Sequence, residues 1–273
     1  MKKLAKIFVI CFVLFFMYAP ILILAFYSFT DTANIGAVSH FSLKNYITLF
    51  TTEELANMIW GTLFLALGSA VIATILGTIG AIGSYYSRKR SQTFISAVNQ
   101  VPVVNADVVT GFSICILLVI VFGFSKDSYF PLVAGHVTMC APFVYLSVMP
   151  KLKQMDQSLY EAALDLGASP FYALNSVVIP QIAPGIVSGF MLAITLSLDD
   201  YFIATYTKPA TFDTISTYVV NATRGSHTEI KTALWALSTI IFVIVLLVVA
   251  GMNMFSSESE KSKGKGGAGS ESK

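Results

Sequence analysis

The sequence predicts an all-α polytopic membrane protein, a helical bundle of six transmembrane spans, and three observations carry that prediction. Of 273 residues, 55% are hydrophobic and only 12% are charged, against roughly 25% charged in soluble globular chains. Uncharged stretches long enough to cross a bilayer recur six times, one of them interrupted by a single aspartate. The remaining charges lie in clumps between these stretches, with Lys and Arg concentrated in alternate connections.

The uncharged runs are 7–30, 55–87, 91–125 (broken only by Asp107), 128–150, 166–198 and 232–257. A spanning helix needs about 20 residues at about 1.5 Å each, so every run is long enough and the longer ones include interfacial or loop residues. The spans are drawn at 7–29, 58–84, 102–124, 130–150, 180–204 and 233–255, making 1–255 one transmembrane domain and 256–273 a tail. The first span follows Lys2, Lys3 and Lys6 but is too long for a secretory signal and has no small-x-small cleavage site after it, so it reads as a retained anchor. Val9 and Ile10 are too bulky for Cys11 to be a lipoprotein cysteine. Pro20 is tolerable where bundle neighbours satisfy the freed carbonyl. In the second span Ala73, Gly77 and Ala81 repeat every four residues, a spacing that lets helices approach closely. The tail from Ser256, rich in Ser, Gly, Lys and Glu, lacks apolar anchors and reads as disordered.

Orientation follows from the basic residues. With both termini inside, the inner segments hold Lys2, Lys3, Lys6, Arg88, Lys89, Arg90, Lys151, Lys153, Lys261, Lys263, Lys265 and Lys273, and the outer loops hold Lys44, Lys126, Lys208, Arg224 and Lys231. The excess favours cytoplasmic termini, and it survives removal of the tail.

Several chemistries are excluded. A net charge of +2 is too small for an electrostatic nucleic-acid binder. Cys11, Cys115 and Cys140 are odd in number and sit in apolar runs, which suits small core hydrophobes and not a disulfide or metal framework. His40, His136 and His227 are scattered, and there is no HExxH, Cys-x-x-Cys, GxxxxGK[ST] or GxSxG pattern. The chain carries no metal site or cofactor of its own, and any energy source belongs to a partner.

The connection from Lys151 to Ile179 is long for a turn. Ser158-Leu-Tyr-Glu161 matches a capping box and predicts a helix start. Leu159, Ala162, Ala163 and Leu166 fall on one side of that helix and Glu161 and Asp165 on another. Gly167 suits the left-handed residue that ends a helix, and Ser169-Pro170 suits the cap and first position of the next, which runs to Val178 and leads into the fifth span. Two uses fit this pair of helices: docking into a groove of another protein, or an interfacial hairpin joining two spans.

The run Glu161-Ala162-Ala163, then Gly167, then Ile179-Pro180, resembles the EAA loop of binding-protein-dependent ABC importer permeases. The resemblance implies the MetI-like, type I ABC importer fold. It also implies that the loop forms coupling helices seated in a cleft of a cytoplasmic ATPase, with Glu161, Ala162, Ala163 and Gly167, and Asp165 beside them, at the contact.

Charge inside a bilayer is expensive, about 2.5–3.5 kcal/mol for one Asp at a helix centre on insertion scales. Asp107 lies early in the third span, and Asp199 and Asp200 lie near the far end of the fifth, with Ser197 before them and Tyr201 after. Adjacent helical residues point about 100° apart, so both acids face one spot only if the helix is interrupted; otherwise one binds and the other organises. They read as acids of the outer membrane interface or as a cation route, since partly desolvated carboxylates select ammonium groups. A proton relay is a third option, weakened by the lack of a His or Lys within the spans.

Over about residues 5–255 the chain resembles the PotC-type permeases of spermidine/putrescine importers. The supporting stretches are Tyr18-Ala-Pro-Ile, Ser28-Phe29, His136-Val-Thr-Met-Cys-Ala-Pro-Phe143, the Glu161 loop and Thr195-Leu-Ser-Leu-Asp-Asp200. The resemblance associates Asp107, Ser197, Asp199 and Asp200 with polyamine passage. Asn45 stands where these permeases can carry Trp, leaving Tyr46 to offer a weaker cation-π surface or to act as an interfacial aromatic. The implied assembly is an ATP-driven importer in the bacterial inner membrane, in contact with lipid. It pairs the chain with a second, PotB-like permease, two copies of a PotA-like ATPase that binds ATP and Mg, and an extracytoplasmic PotD-like polyamine-binding protein. Other small cationic or polar solutes, and an ion-coupled secondary transporter, are the competing readings.

Overall fold

A computed structural model describes residues 2–30, 40–224 and 233–247. The helices are α1 (Lys2–Ser28), α2 (Lys44–Thr51), α3 (Glu53–Tyr85), α4 (Lys89–Val104), α5 (Asp107–Cys115), α6 (Phe130–Gln154), α7 (Gln157–Asp165), α8 (Pro170–Ala173), α9 (Ile179–Asp199), α10 (Phe202–Thr207), α11 (Ile215–Arg224) and α12 (Ala233–Leu247). Among the described residues the only β pairing is an isolated bridge, Thr30 to Phe41. Among the described residues four helical segments are long and apolar enough to cross a membrane (Lys6–Ser28, Glu53–Tyr85, Phe130–Gln154 and Pro170–Asp199), and the bent pair α4–α5 makes up to five. Residues 248–255, the end of the sixth expected span, and the tail 256–273 lie outside the described residues.

Two compact units divide the chain, residues 1–60 with 218–247, and residues 61–217. In the first, Ser42 N donates to Phe29 O at 2.8 Å, and Phe29 stacks on Phe41 with ring centroids 5.9 Å apart. Tyr27 meets Trp235 edge-on at 5.9 Å.

In the second unit the most extensive packing is α6 against α9. Glycines allow it: a Cβ on Gly185 would meet the Ser147 carbonyl at 3.0 Å, and one on Gly189, four residues on, would meet Val144 at 3.1 Å. From the α3 side, a Cβ on Gly77 would lie 2.7 Å from both Ala141 O and Val144 Cβ. The small-residue repeat therefore marks a close helix approach, with Ala73 and Ala81 fully buried beside Gly77. The Tyr145 hydroxyl ties three helices, at 3.0 Å from Ser84 on α3 and 2.9 Å from Ser96 on α4. Of the three cysteines, all free, only Cys140 is buried; Cys11 is exposed, which corrects the expectation of three core positions.

The expected third span, 102–124, is not one helix. Residues 102–104 finish α4, Asn105 and Ala106 are extended, and α5 with its following π-helical turn (Ile116–Val121) leaves at 103°. Asp107 thus opens a helix, where the macrodipole favours a carboxylate. The fifth span also differs: α8, a π turn (Leu174–Val178) and α9 form one continuous helix, which ends at Asp199 and not at 204. Pro180 has no amide for the turn behind it, and a widened turn just before a proline is one way a helix absorbs that loss.

Candidate functional site

Two regions of the second unit carry the residues singled out from sequence other than Tyr46. The first is the loop between α6 and α9. Helix α7 begins at Gln157, one residue before Ser158, because Asp156 is its cap: Ser158 N donates to Asp156 Oδ1 at 3.0 Å. The expected Ser158–Glu161 capping box is replaced by this acidic cap, and the bond to Ser158 holds the Asp156 carboxyl below the usual carboxylate range. The turn at Gly167 has φ +87° and completes a Schellman motif, with Ala168 N donating to Ala163 O at 3.0 Å and Gly167 N to Leu164 O at 2.9 Å. Ser169 then caps α8, accepting from Tyr172 N at 3.3 Å ahead of Pro170.

The inward face of α7 is Tyr160, Ala163 and Leu164, spaced three and four apart and half-buried. This corrects the expected apolar side: Leu159, Ala162 and Leu166 are exposed with Glu161, Asp165 and Gly167, and Leu166 is 89% exposed. Exposed Phe171 and Tyr172 on α8 extend the surface. The end of α3 supports the loop from behind. Gln157 Nε2 donates to the Tyr85 hydroxyl at 2.7 Å, and Tyr86 packs on Tyr160 with centroids 5.3 Å apart. Burial, then Tyr160 and Tyr85, push the Tyr86 phenol up.

The second region is the break after α9. Asp200 leaves the helix with ψ 125°, and its carboxylate accepts from Ile203 N at 3.2 Å and Ala204 N at 2.8 Å, covering the open amides that start α10. Asp199 is exposed, whereas Asp200 is 7% exposed. The interruption that was needed for both acids to face one spot is present, yet it sends them to different environments. Asp107 is exposed at the start of α5, and both it and Asp199 lie close enough to Asp200 for their charges to act on it. Two glycines hold α10 in place: a Cβ on Gly111 of α5 would lie 2.9 Å from Ile203 Cα, and one on Gly135 of α6 would lie 2.6 Å from Ile203 Cγ2.

Ser197 is 2% exposed and points into the helix packing, its hydroxyl 2.9 Å from His136 Nδ1 and 3.2 Å from Ser69 Oγ. His136 and Ser69 were not singled out from sequence. His136 is fully buried within α6, and its Nε2 lies 3.7 Å from Asp200 Oδ2. A span histidine therefore does accompany the acids, contrary to the expectation from sequence, and a polar ring in an apolar run was the available signal. Tyr201 is half-buried, packed edge-on against Phe202 at 5.2 Å.

Tyr46 lies in the first unit. Its hydroxyl is 2.8 Å from Ser28 Oγ, and its ring tilts against Phe29 with centroids 5.0 Å apart. Asn45 is 3% exposed, donating from Nδ2 to Ser28 O at 3.1 Å and Thr30 O at 2.8 Å. It is a structural tie of that unit where an aromatic contact was looked for.

Comparison with known proteins agrees with this architecture. The family model described as "Binding-protein-dependent transport system inner membrane component" matches residues 73–258. The putrescine transport system permease protein PotI of Escherichia coli (strain K12) is 33% identical over 232 residues, covering 83% of this chain and 81% of its own length. The spermidine/putrescine transport system permease protein PotC of Haemophilus influenzae is 30% identical over 235 residues, with 86% and 89% covered. Among solved structures, a bacterial ABC transporter for import of the acidic polysaccharide alginate superposes with TM-score 0.69 at 18% identity, covering 93% of this chain and 96% of that one. The inward-facing MetNI methionine ABC transporter gives TM-score 0.62 at 16% identity over 74% of this chain and 94% of that one. At these identities the structures speak for the fold. The family model and the sequence relatives speak for more: the chain belongs to the inner-membrane components of binding-protein-dependent transport systems, as a permease and not an ATPase.

Proposed function

We propose that this permease forms part of an inward path for polyamines, putrescine or spermidine, driven by ATP hydrolysis in partner subunits. The observation that carries the substrate class is the gathering of Asp107, Asp199 and Asp200 around the α9–α10 break, two exposed and one buried. Exposed carboxylates at a break in apolar helices attract ammonium groups and repel anions, and a path with few acids releases what it binds. The names of the PotI and PotC relatives support the same substrates. Asp107 and Asp199, with Tyr201 beside them, meet the substrate, while Ser197 and Asp200 act from behind. Tyr46, within the first unit, is a separate aromatic candidate for contact with an ammonium group.

The exposed surface of α7 and α8, carrying Glu161, Ala162, Asp165 and Gly167, docks on the ATPase that binds ATP and Mg, with Ala163 on the inward face behind it. Leu159, Leu166, Phe171 and Tyr172 supply apolar area there. On this reading the loop and both termini face the cytoplasm, which the excess of basic residues in those segments supports. The working importer is completed by a second permease, two ATPase copies and an extracytoplasmic polyamine-binding protein.

One observation favours an ion-coupled carrier: a buried histidine faces Asp200. Reconstitution decides between the two. Labelled polyamine uptake should need the partner subunits and ATP; uptake by this chain alone under a proton or sodium gradient would replace the ATP-driven reading.

A further inference from the structure

Ser69, His136, Ser197 and Asp200 form one buried polar chain through the second unit, contributed by α3, α6, the last turn of α9 and the break that follows it. Its hydrogen-bond inventory is constrained. The Ser69 hydroxyl gives its single proton to the Leu65 carbonyl one turn back. Ser197 therefore donates to Ser69 and accepts from His136 Nδ1–H, which fixes the ring. In that arrangement Nε2, buried and without a hydrogen-bonded partner, presents a lone pair toward Asp200 Oδ2 at 3.7 Å. Two lone pairs facing each other in an apolar interior are unfavourable unless a proton lies between them.

We propose that His136 is a positioning residue: it holds Asp200 as an internal anchor of the α9–α10 break, so that Asp199 and not Asp200 presents free negative charge to the substrate. This rests on the polyamine-path reading and assigns different duties to two adjacent acids. Asp200 is occupied on every side the structure shows, by the Ile203 and Ala204 amides and by the histidine. Asp199, one residue earlier and about 100° around the helix, is exposed. Anchoring Asp200 fixes the last turn of α9 and hence the direction of Asp199.

The test uses the whole importer in proteoliposomes and two conservative replacements. His136→Asn keeps an amide where Nδ1 meets Ser197 and removes the atom facing Asp200; His136→Gln keeps a donor at the Nε2 position. The expected result is a KM for polyamine raised about tenfold in H136N, with kcat changed less than about twofold, and H136Q within about threefold of the parent. A parental KM in H136N, or equal impairment in both, overturns the positioning role. D199N should raise KM by at least about tenfold; if it does not, the path reading itself fails, whatever His136 does. Labelling judges the anchor separately, in a background with the three native cysteines replaced. A cationic methanethiosulfonate should modify D199C at least about tenfold faster than D200C, as exposure governs thiol access. Equal rates would overturn the assignment of Asp200 to the interior.

Discussion

Replacing Gly167 separates backbone geometry from contact chemistry at the proposed ATPase-docking loop. Its φ of +87° lies where L residues are strained, and a Cβ added there would meet nothing within 4 Å. Within this chain the penalty is therefore conformational: about 1–2 kcal/mol for an ordinary residue and up to about 3 for a β-branched one, with Asn tolerated best. The Schellman bonds Ala168 N to Ala163 O and Gly167 N to Leu164 O depend on the same turn. A loss of about 2 kcal/mol lowers the ratio of intact to frayed turn about thirtyfold. Co-purification of the ATPase and ATP-dependent uptake should both fall in the order G167N, G167A, G167V, with G167N close to the parent. Normal co-purification and uptake in G167V would refute the reasoning. So would an Asn variant as defective as the Val one, because contact with the ATPase and not φ would then decide the outcome.

Gly77→Ala should lower the thermal unfolding midpoint of the detergent-solubilised protein, because its Cβ would fall 2.7 Å from Ala141 O and Val144 Cβ; overpacking of this kind costs about 1–3 kcal/mol. Gly68→Ala, with nothing within 4 Å, should leave the midpoint unchanged or raise it, and equal effects at both sites would contradict the close-packing account. The Asp156 cap predicts a pH dependence of ATPase co-purification. A depressed carboxyl stabilises α7 above its ordinary pKa, about 3.9, and loses that contribution as pH falls through the lower folded value, so binding should be flat from about pH 6 to 8 in the parent as regards this group. Asp156→Ala should weaken binding uniformly across that window, and a loss confined to its acid end would contradict the assignment.

The loop between α6 and α9 was legible in the sequence where its signals are local. Gly167, Ser169 and Pro170 each act within a few residues, and their turn and cap appear as the pattern predicts. The start of α7 was missed because two cap candidates stand two residues apart, and Asp156 takes the role given to Ser158. The acids near the α9–α10 break were found because charge in an apolar run is conspicuous. Their separate environments were not legible, since His136 and Ser197 are 61 positions apart and close packing of α6 on α9 at Gly185 and Gly189 brings them together. The bend after Val104 escaped detection because Asn105 and Ala106 interrupt the helix without glycine, and Pro102, the nearest breaker, remains inside α4.

The central claim is that exposed acids of this permease meet a cationic substrate, and ATP-dependent uptake of labelled putrescine and spermidine by the complete importer tests it most directly. With Asp107→Asn and Asp199→Asn combined, assembly should be retained while KM rises at least about tenfold for both amines. Unchanged uptake kinetics in that double variant would contradict the claim.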